Sequence, residues 1–230
     1  MAEQQTGGDV SRRHLLTGLA VAGGVGLTAG ALPTAASAAD SGALATGPDG
    51  STVVEFRARI AQTGGSGQTF TSFGYLTAVA GAAPDELFSG GPPGESTALL
   101  TAFATGSLAA RTFDQMVHAL DIDGELTVFQ RDVPGASFAD PDSFRQGSAV
   151  ARFDLTLQDV LTVFTPGRGL PTLTGDMTQT HSHGLAGELS GRRFGRQGLR
   201  LRFLATGLGT LLDAATSNSS LEIAGNWSVE

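Results

Sequence analysis

The sequence contains no cysteine and no lysine, and all 14 of its basic residues are arginine. The absence of cysteine excludes disulfide bonds, zinc–thiolate sites and thiol nucleophiles. Only 16% of the 230 residues are charged, and acidic residues outnumber basic ones to give a formal net charge of −8. Because nucleic-acid binding relies on a basic surface, this charge argues against a nucleic-acid partner. The 40% share of hydrophobic residues is too high for a disordered chain.

The start of the chain has the layout of an export signal. The charged pair Arg12 and Arg13 precedes a long uncharged run, which ends in small residues at Ala38. The run is about long enough to cross a bilayer, so a membrane span is the alternative. Its many glycines and alanines make it weakly hydrophobic, and we predict a signal peptide over residues 1–38, cleaved after Ala38, with no membrane anchor left afterwards.

The arginine pair, followed by His-Leu-Leu, resembles the twin-arginine export signal. This resemblance implies that the twin-arginine export machinery of a bacterium is a partner and that the protein is secreted to the extracellular space. Export of that kind carries folded chains, which suits a protein that needs no oxidising compartment to fold. Residues 39–51 are rich in Ala, Ser, Gly and Asp, and we predict a flexible lead-in there, followed by one domain over residues 52–230.

Apolar and polar residues alternate with a period of two through 52–62, 149–158, 198–206 and 221–229. This period is typical of antiparallel strands that bury one face. The residues predicted to face the core are Phe56, Phe153, Leu155, Leu201, Phe203 and Trp227, whereas Arg57 and Arg152 are predicted to face outward.

The turn signals agree with a chain of short strands. Asp123-Gly124 predicts a hairpin between residues 119–122 and 125–130. This hairpin signal favours a strand over a helix for the preceding segment, 107–120, whose apolar spacing fits both. Residues 84–88 predict a short helix, because Asp85 and Glu86 suit a helix N-terminus.

The sequence therefore predicts an all-β fold with a single antiparallel domain. Roughly eight to ten short strands are present and no segment suits a long crossover helix, so a barrel of about eight strands fits best, with a β-sandwich as the alternative. Several strands carry apolar residues on both faces, for example 69–79. The run Phe-Thr-Ser-Phe-Gly-Tyr from Phe70 to Tyr75, within this architecture, resembles the calycin and allene oxide cyclase type of barrel. That resemblance carries over no functional residue.

One set of residues has metal-ligand spacing. His181 and His183 lie at i and i+2, so both rings point to the same side of a strand. Together with Glu188 and the glycines at 175 and 195, they resemble the first motif of the cupin family, which implies that His181, His183 and Glu188 bind one divalent metal ion. The second cupin motif would supply a further histidine, and none follows His183. The alternative is a polar pair on an exposed strand.

Other candidate sites have simpler interpretations. Asp140-Pro141-Asp142-Ser143 offers oxygen ligands for Ca²⁺, but these are also ordinary turn residues. A basic cluster could bind an anion through bidentate contacts, or could be a solvated surface with acidic neighbours. Its members are Arg192, Arg193, Arg196, Arg200 and Arg202.

These observations lead to one principal function and three alternatives. The principal expectation is a secreted, soluble, non-catalytic barrel that binds a small apolar or mixed ligand without a cofactor. The first alternative is a metal-dependent cupin-like enzyme. The second is a metal-free, cyclase-like barrel enzyme that acts on a reactive lipid, for which a buried carboxylate or amide inside the barrel would be the cue. The third is an envelope or matrix protein whose barrel only presents its loops to partners.

Overall fold

The computed structural model describes residues 42–64 and 68–230. The predicted signal peptide, with Arg12, Arg13 and Ala38, lies outside the described residues and stays a prediction. In chain order the elements are β1 (Ala43–Leu44), β2 (Thr52–Thr63), β3 (Thr69–Val79), α1 (Pro84–Leu87), β4 (Leu100–Asp114), β5 (Val117–Gln130), β6 (Ser148–Thr165), β7 (Arg168–Ser182), β8 (Arg193–Phe194), β9 (Arg200–Asp213) and β10 (Asn218–Val229). Short 3₁₀ helices span Pro141–Arg145 and Gly187–Leu189.

Eight of these strands form a closed antiparallel barrel in the order β2-β3-β4-β5-β6-β7-β9-β10, with β10 pairing back to β2. The prediction of an all-β, single-domain antiparallel barrel is therefore confirmed. The chain reverses after β2, β4, β6 and β9 at the same end of the barrel, which we call the hairpin end. The long connections and β1 and β8 lie at the other end. Within the described ranges, no helix is long and apolar enough to cross a membrane.

Residues 42–51 belong to the predicted flexible lead-in, but the structure shows part of them packed. Strand β1 pairs in parallel with β8, and Leu44 is aligned with Phe194. Leu44 is 1% exposed and Ala45 is fully buried. The composition of this segment is that of a linker, yet burial of two apolar side chains and a strand pairing fix it to the domain.

The inward face of the barrel carries an aromatic cluster. Trp227 on β10 lies 5.7 Å from Phe153, 6.0 Å from Phe56 and 6.4 Å from Phe194 between ring centroids. Phe203 completes the cluster at 5.2 Å from Phe56. All six residues predicted to face the core are buried, and the alternation argument is confirmed for them.

Strand β3 is buried on both faces, as its apolar pattern predicted. Its outward Phe73 and Tyr75 are covered by the connection between β5 and β6, which places Phe138 and Phe144 over them. The ring of Phe88, after α1, lies edge-on to Tyr75 at 6.3 Å. The barrel wall therefore carries a second aromatic cluster on its outer side.

The hairpin predicted at Asp123-Gly124 is wrong. Strand β5 runs unbroken through these residues, and Gly124 is aligned with Gly106 of β4. A β-carbon on Gly124 would lie 2.8 Å from the α-carbon of Gly106, so this glycine allows two strands to approach closely inside the barrel. The chain instead turns at Gln115, which has a positive φ of 47°. Residues 107–120 are extended rather than helical, as predicted, but they belong to the end of β4 and the start of β5, with the turn at Gln115 between them. The short helix predicted at 84–88 is present over Pro84–Leu87.

Candidate functional site

The interior of the barrel contains a cavity of about 40 Å³ in the half nearer the hairpin end. That volume has room for roughly three water molecules. Its wall is almost entirely aliphatic and aromatic, because the inward positions of the strands carry apolar residues at this level. Among the lining side chains are Ile60, Phe70, Ile122, Leu157, Leu173 and Leu221.

Among the described residues, Asp159 is the one charged side chain that lines this cavity. It lies on β6, inward, aligned with Leu120 of β5 and Leu173 of β7. The residue is 3% exposed, and its Oδ1 atom has no hydrogen-bond partner within the described residues. Burial raises the pKa of Asp159 to about 7, and a hydrogen bond from the backbone N–H of Thr172 acts in the opposite direction.

Other buried polar side chains in the described part of the chain show what a purely structural role looks like. Gln179 donates to the carbonyl oxygens of His181 and Phe194 and accepts from the backbone N–H of Arg196, all within 2.9 Å. Arg131 donates to the carbonyl oxygens of Val133 and Ser143. Two other buried side-chain atoms of the described residues, Gln68 Oε1 and Trp227 Nε1, also lack a partner, but neither residue lines this cavity. Because an unpaired buried polar atom costs free energy, a ligand group in the cavity that donates to Asp159 Oδ1 would contribute what the protein does not.

Leu161 lies between Asp159 and the hairpin end along β6. It is the next inward residue after Asp159 on β6, and its side chain extends over two glycines that face each other, Gly169 on β7 and Gly209 on β9. A β-carbon on Gly209 would lie 3.5 Å from the Cδ1 atom of Leu161. Because the two glycines have no side chains, the side chain of Leu161 fits over them. Leu161 is half-buried.

The residues predicted to bind a metal lie elsewhere. His181 and His183 are near the end of β7 opposite the hairpin end, with ring centroids 5.7 Å apart, and both are exposed. Glu188 is exposed in the 3₁₀ helix Gly187–Leu189. No three His, Cys, Asp or Glu side chains in residues 42–64 and 68–230 are grouped so that they could hold a metal ion. The other histidine of the described residues, His118, is the second residue of β5 at the hairpin end, and β6 lies between its strand and β7. Metal binding by His181, His183 and Glu188 therefore stays a prediction.

The basic cluster lies on the outer surface beside acidic residues. Arg202 lies 2.9 Å from Asp176 and 3.0 Å from Glu230, and Arg192 lies 2.8 Å from Glu86. Arg200 likewise lies 3.3 Å from Glu230, whereas Arg193 and Arg196 form no ion pair within the described residues. In the loop at Asp140–Ser143, the Ser143 hydroxyl donates to the Asp140 carbonyl oxygen. Asp140 and Asp142 are exposed, and Asp142 lies 3.4 Å from Arg145.

Asp159 is not among the predicted site residues, although the pattern of β6 indicates it. The alternation read over residues 149–158 stops one residue short of it. If the alternation is followed to the next two inward residues of β6, the inward side chains are Leu155, Leu157, Asp159 and Leu161. Asp159 is then a carboxylate among leucines. An inward acid in a strand that otherwise alternates is the pattern that would have identified it.

No protein-family model, curated protein or solved structure matches this chain. The barrel architecture is shown, whereas membership of the calycin, allene oxide cyclase or cupin families gains no support from these comparisons. Function must therefore be argued from the geometry of the site.

Proposed function

We propose that the protein binds a small, mainly apolar ligand inside the barrel and that a hydrogen-bond donor of the ligand pairs with Asp159. The observation that carries this proposal is the unpaired Oδ1 atom of Asp159 in an otherwise apolar cavity. Small barrels hold single ligands among their inward side chains, and a few polar groups fix the orientation of such ligands.

The chemistry of the cavity limits the ligand class. The apolar wall favours a hydrocarbon body, since each buried methylene contributes about 0.8 kcal/mol. The carboxyl group of Asp159 favours a hydroxyl or amino group, because either would donate to Oδ1. The cavity is smaller than most ligand pockets, so a larger ligand needs Leu161 to turn away from its two glycines.

Binding of simple probes tests the proposal. We expect hexanol and hexylamine to shift the backbone amide resonances of residues around Asp159 in NMR titrations, and heptane, which has no donor, to bind more weakly. In Asp159→Leu this preference for a donor should disappear. Asp154→Leu is the matched control, because Asp154 lies on the same strand but is exposed. Equal binding of heptane and hexanol to the natural protein would contradict the proposal.

A metal-free, cyclase-like enzyme is the second candidate, and the position of Asp159 favours it. A carboxyl group with a pKa of about 7 exists in both protonation states at neutral pH, as acid–base catalysis requires. Incubation with a panel of unsaturated lipid epoxides, followed by chromatography for isomeric products, separates the two functions. Turnover that is lost in Asp159→Asn but kept in Asp154→Asn would favour the enzyme, and binding without turnover would favour the carrier.

A further inference from the structure

A groove on the outer wall of the barrel is much larger than the interior cavity. Its volume is about 520 Å³, within the range of pockets that hold small molecules. It runs along the outward faces of β2, β9 and β10. The connection between β5 and β6 forms one side of it through Phe138, and Leu208 of β9 borders the other side.

Arg57 lies on the floor of this groove between two uncharged neighbours. On one side it is aligned with Tyr75 of β3, and on the other with Ala224 of β10. Arg57 is exposed, and all three residues line the groove. On β10, the residue directly opposite Arg57 is therefore an alanine and not an acidic residue that could pair with it.

The other charged residues of the groove have partners within the protein. Arg59 lies 2.8 Å from Glu222, and its guanidinium group lies 5.1 Å from the centroid of the Phe138 ring. Glu95 accepts a hydrogen bond from the backbone N–H of Phe138 at 3.3 Å.

Arg57 differs from Arg59 and Glu222, because it takes part in no ion pair of the described chain. Glu95 takes part in none either, but its carboxylate accepts a hydrogen bond from a backbone N–H. The arginines of the described chain that form ion pairs are Arg59, Arg145, Arg192, Arg200 and Arg202. Arg57 is therefore the cation in the groove that is available to an external anion.

From this arrangement we propose that the groove binds a small carboxylate with an apolar body, anchored by Arg57. A guanidinium group presents two parallel N–H donors that match the two oxygens of a carboxylate. The ring of Phe138 and the side chains of Ala224 and Leu208 form an apolar surface for the rest of the ligand, and the buried ring of Tyr75 packs against Phe138. This site is separate from Asp159 and does not depend on the function proposed for the interior.

Titration with 2-naphthoate tests the proposal, with 2-naphthamide as a probe of similar shape and no charge. We expect 2-naphthoate to bind the natural protein and to shift the amide resonances of residues lining the groove. In Arg57→Gln the affinity should fall about tenfold or more, as expected for the loss of one charge-assisted contact. Arg152→Gln is the matched control, because Arg152 is also an exposed, outward arginine on a barrel strand.

Three results would overturn the proposal: no binding of 2-naphthoate at millimolar concentration, equal affinity in Arg57→Gln, or equal binding of 2-naphthamide. An equal loss in Arg152→Gln would also overturn it, because it would indicate a general charge effect. Asp159→Leu should leave 2-naphthoate binding unchanged, so failure of the interior site and failure of the groove are distinguishable. Thermal unfolding of each variant would show that the fold is intact.

Discussion

The Cδ1 atom of Leu161 lies 2.6 Å from the position that a β-carbon on Gly169 would occupy. Gly169→Ala therefore forces Leu161 to turn away. Because Leu161 is half-buried and the contact is with the end of its flexible side chain, we expect the free energy of unfolding to fall by about 1 kcal/mol, the lower end of what overpacking costs. Urea denaturation measures the change. Gly94→Ala is the control, because the nearest atom to its added β-carbon is 3.9 Å away.

The same contact predicts non-additivity. The double variant Leu161→Ala with Gly169→Ala should lose less stability than the sum of the two single variants, since the leucine that causes the collision is gone. Strict additivity would show that another contact opposes the added methyl group.

Asp159 should make the stability of the protein depend on pH. Its pKa is raised in the folded state to about 7, so the folded state keeps a proton that the unfolded state releases from about pH 4 upward. The free energy of unfolding should therefore decrease as the pH rises from 4 to above 7. In Asp159→Asn this decrease should be absent, so that the variant is the more stable protein at pH 8. If the free energy of unfolding of the natural protein equals that of Asp159→Asn at both pH 4 and pH 8, Asp159 is not held in a desolvated site.

Two adjacent residues of β6 test the inward and outward faces. Phe153 is 1% exposed and contacts Trp227, so Phe153→Ala should cost about 3–5 kcal/mol of stability. Arg152 is exposed, and Arg152→Ala should change stability by no more than about half a kcal/mol. Thermal or chemical unfolding of both variants gives the ranking, and a larger loss for Arg152→Ala would invert the face assignment.

Export should depend on the paired arginines near the N-terminus. Replacing Arg12 and Arg13 together by lysine keeps the charge, yet we expect the precursor to stay inside the cell, because the twin-arginine signal needs arginine. Immunoblots of cell and medium fractions measure this, and N-terminal sequencing of secreted protein should begin at Ala39. Normal secretion of the double variant would contradict a twin-arginine route.

Elemental analysis tests the metal site predicted at His181, His183 and Glu188. Because the two rings are exposed and the described residues offer no three-ligand group, we expect purified protein to hold less than one equivalent of metal. His181→Ala should leave the small residual content unchanged. One equivalent of metal that disappears in His181→Ala and in Glu188→Ala would instead support a cupin-like site.

The barrel could be predicted from the sequence because its inward and outward residues alternate so regularly. Phe56, Phe153 and Trp227 lie where a period of two places them. The roles of the glycines were harder to predict than the alternation. Asp-Gly often marks a turn, whereas Gly124 lies within β5 and allows close contact with Gly106 of β4. This contact depends on the register of β4 and β5, which the sequence alone does not give.

The candidate sites could not be predicted in the same way. Asp159 and the apolar residues around it come from seven strands, and their convergence depends on barrel closure. Arg57 was correctly predicted to face outward, but the identity of its cross-strand neighbours follows from the β2–β10 register. A sequence shows which side chains share a face of one strand, whereas a site requires the register of several.

The seam between β2 and β10 joins the first and last strands of the barrel, whereas every other strand pairs with the barrel strand that precedes it in the chain. A ribosome must therefore have synthesised all the other barrel strands before the seam can form. Until then, β2 and β9 are open edges that can pair with other chains. The large sequence separation also makes closure an entropically costly step. The only tryptophan, Trp227, lies on β10, so its fluorescence should report the moment at which the barrel closes.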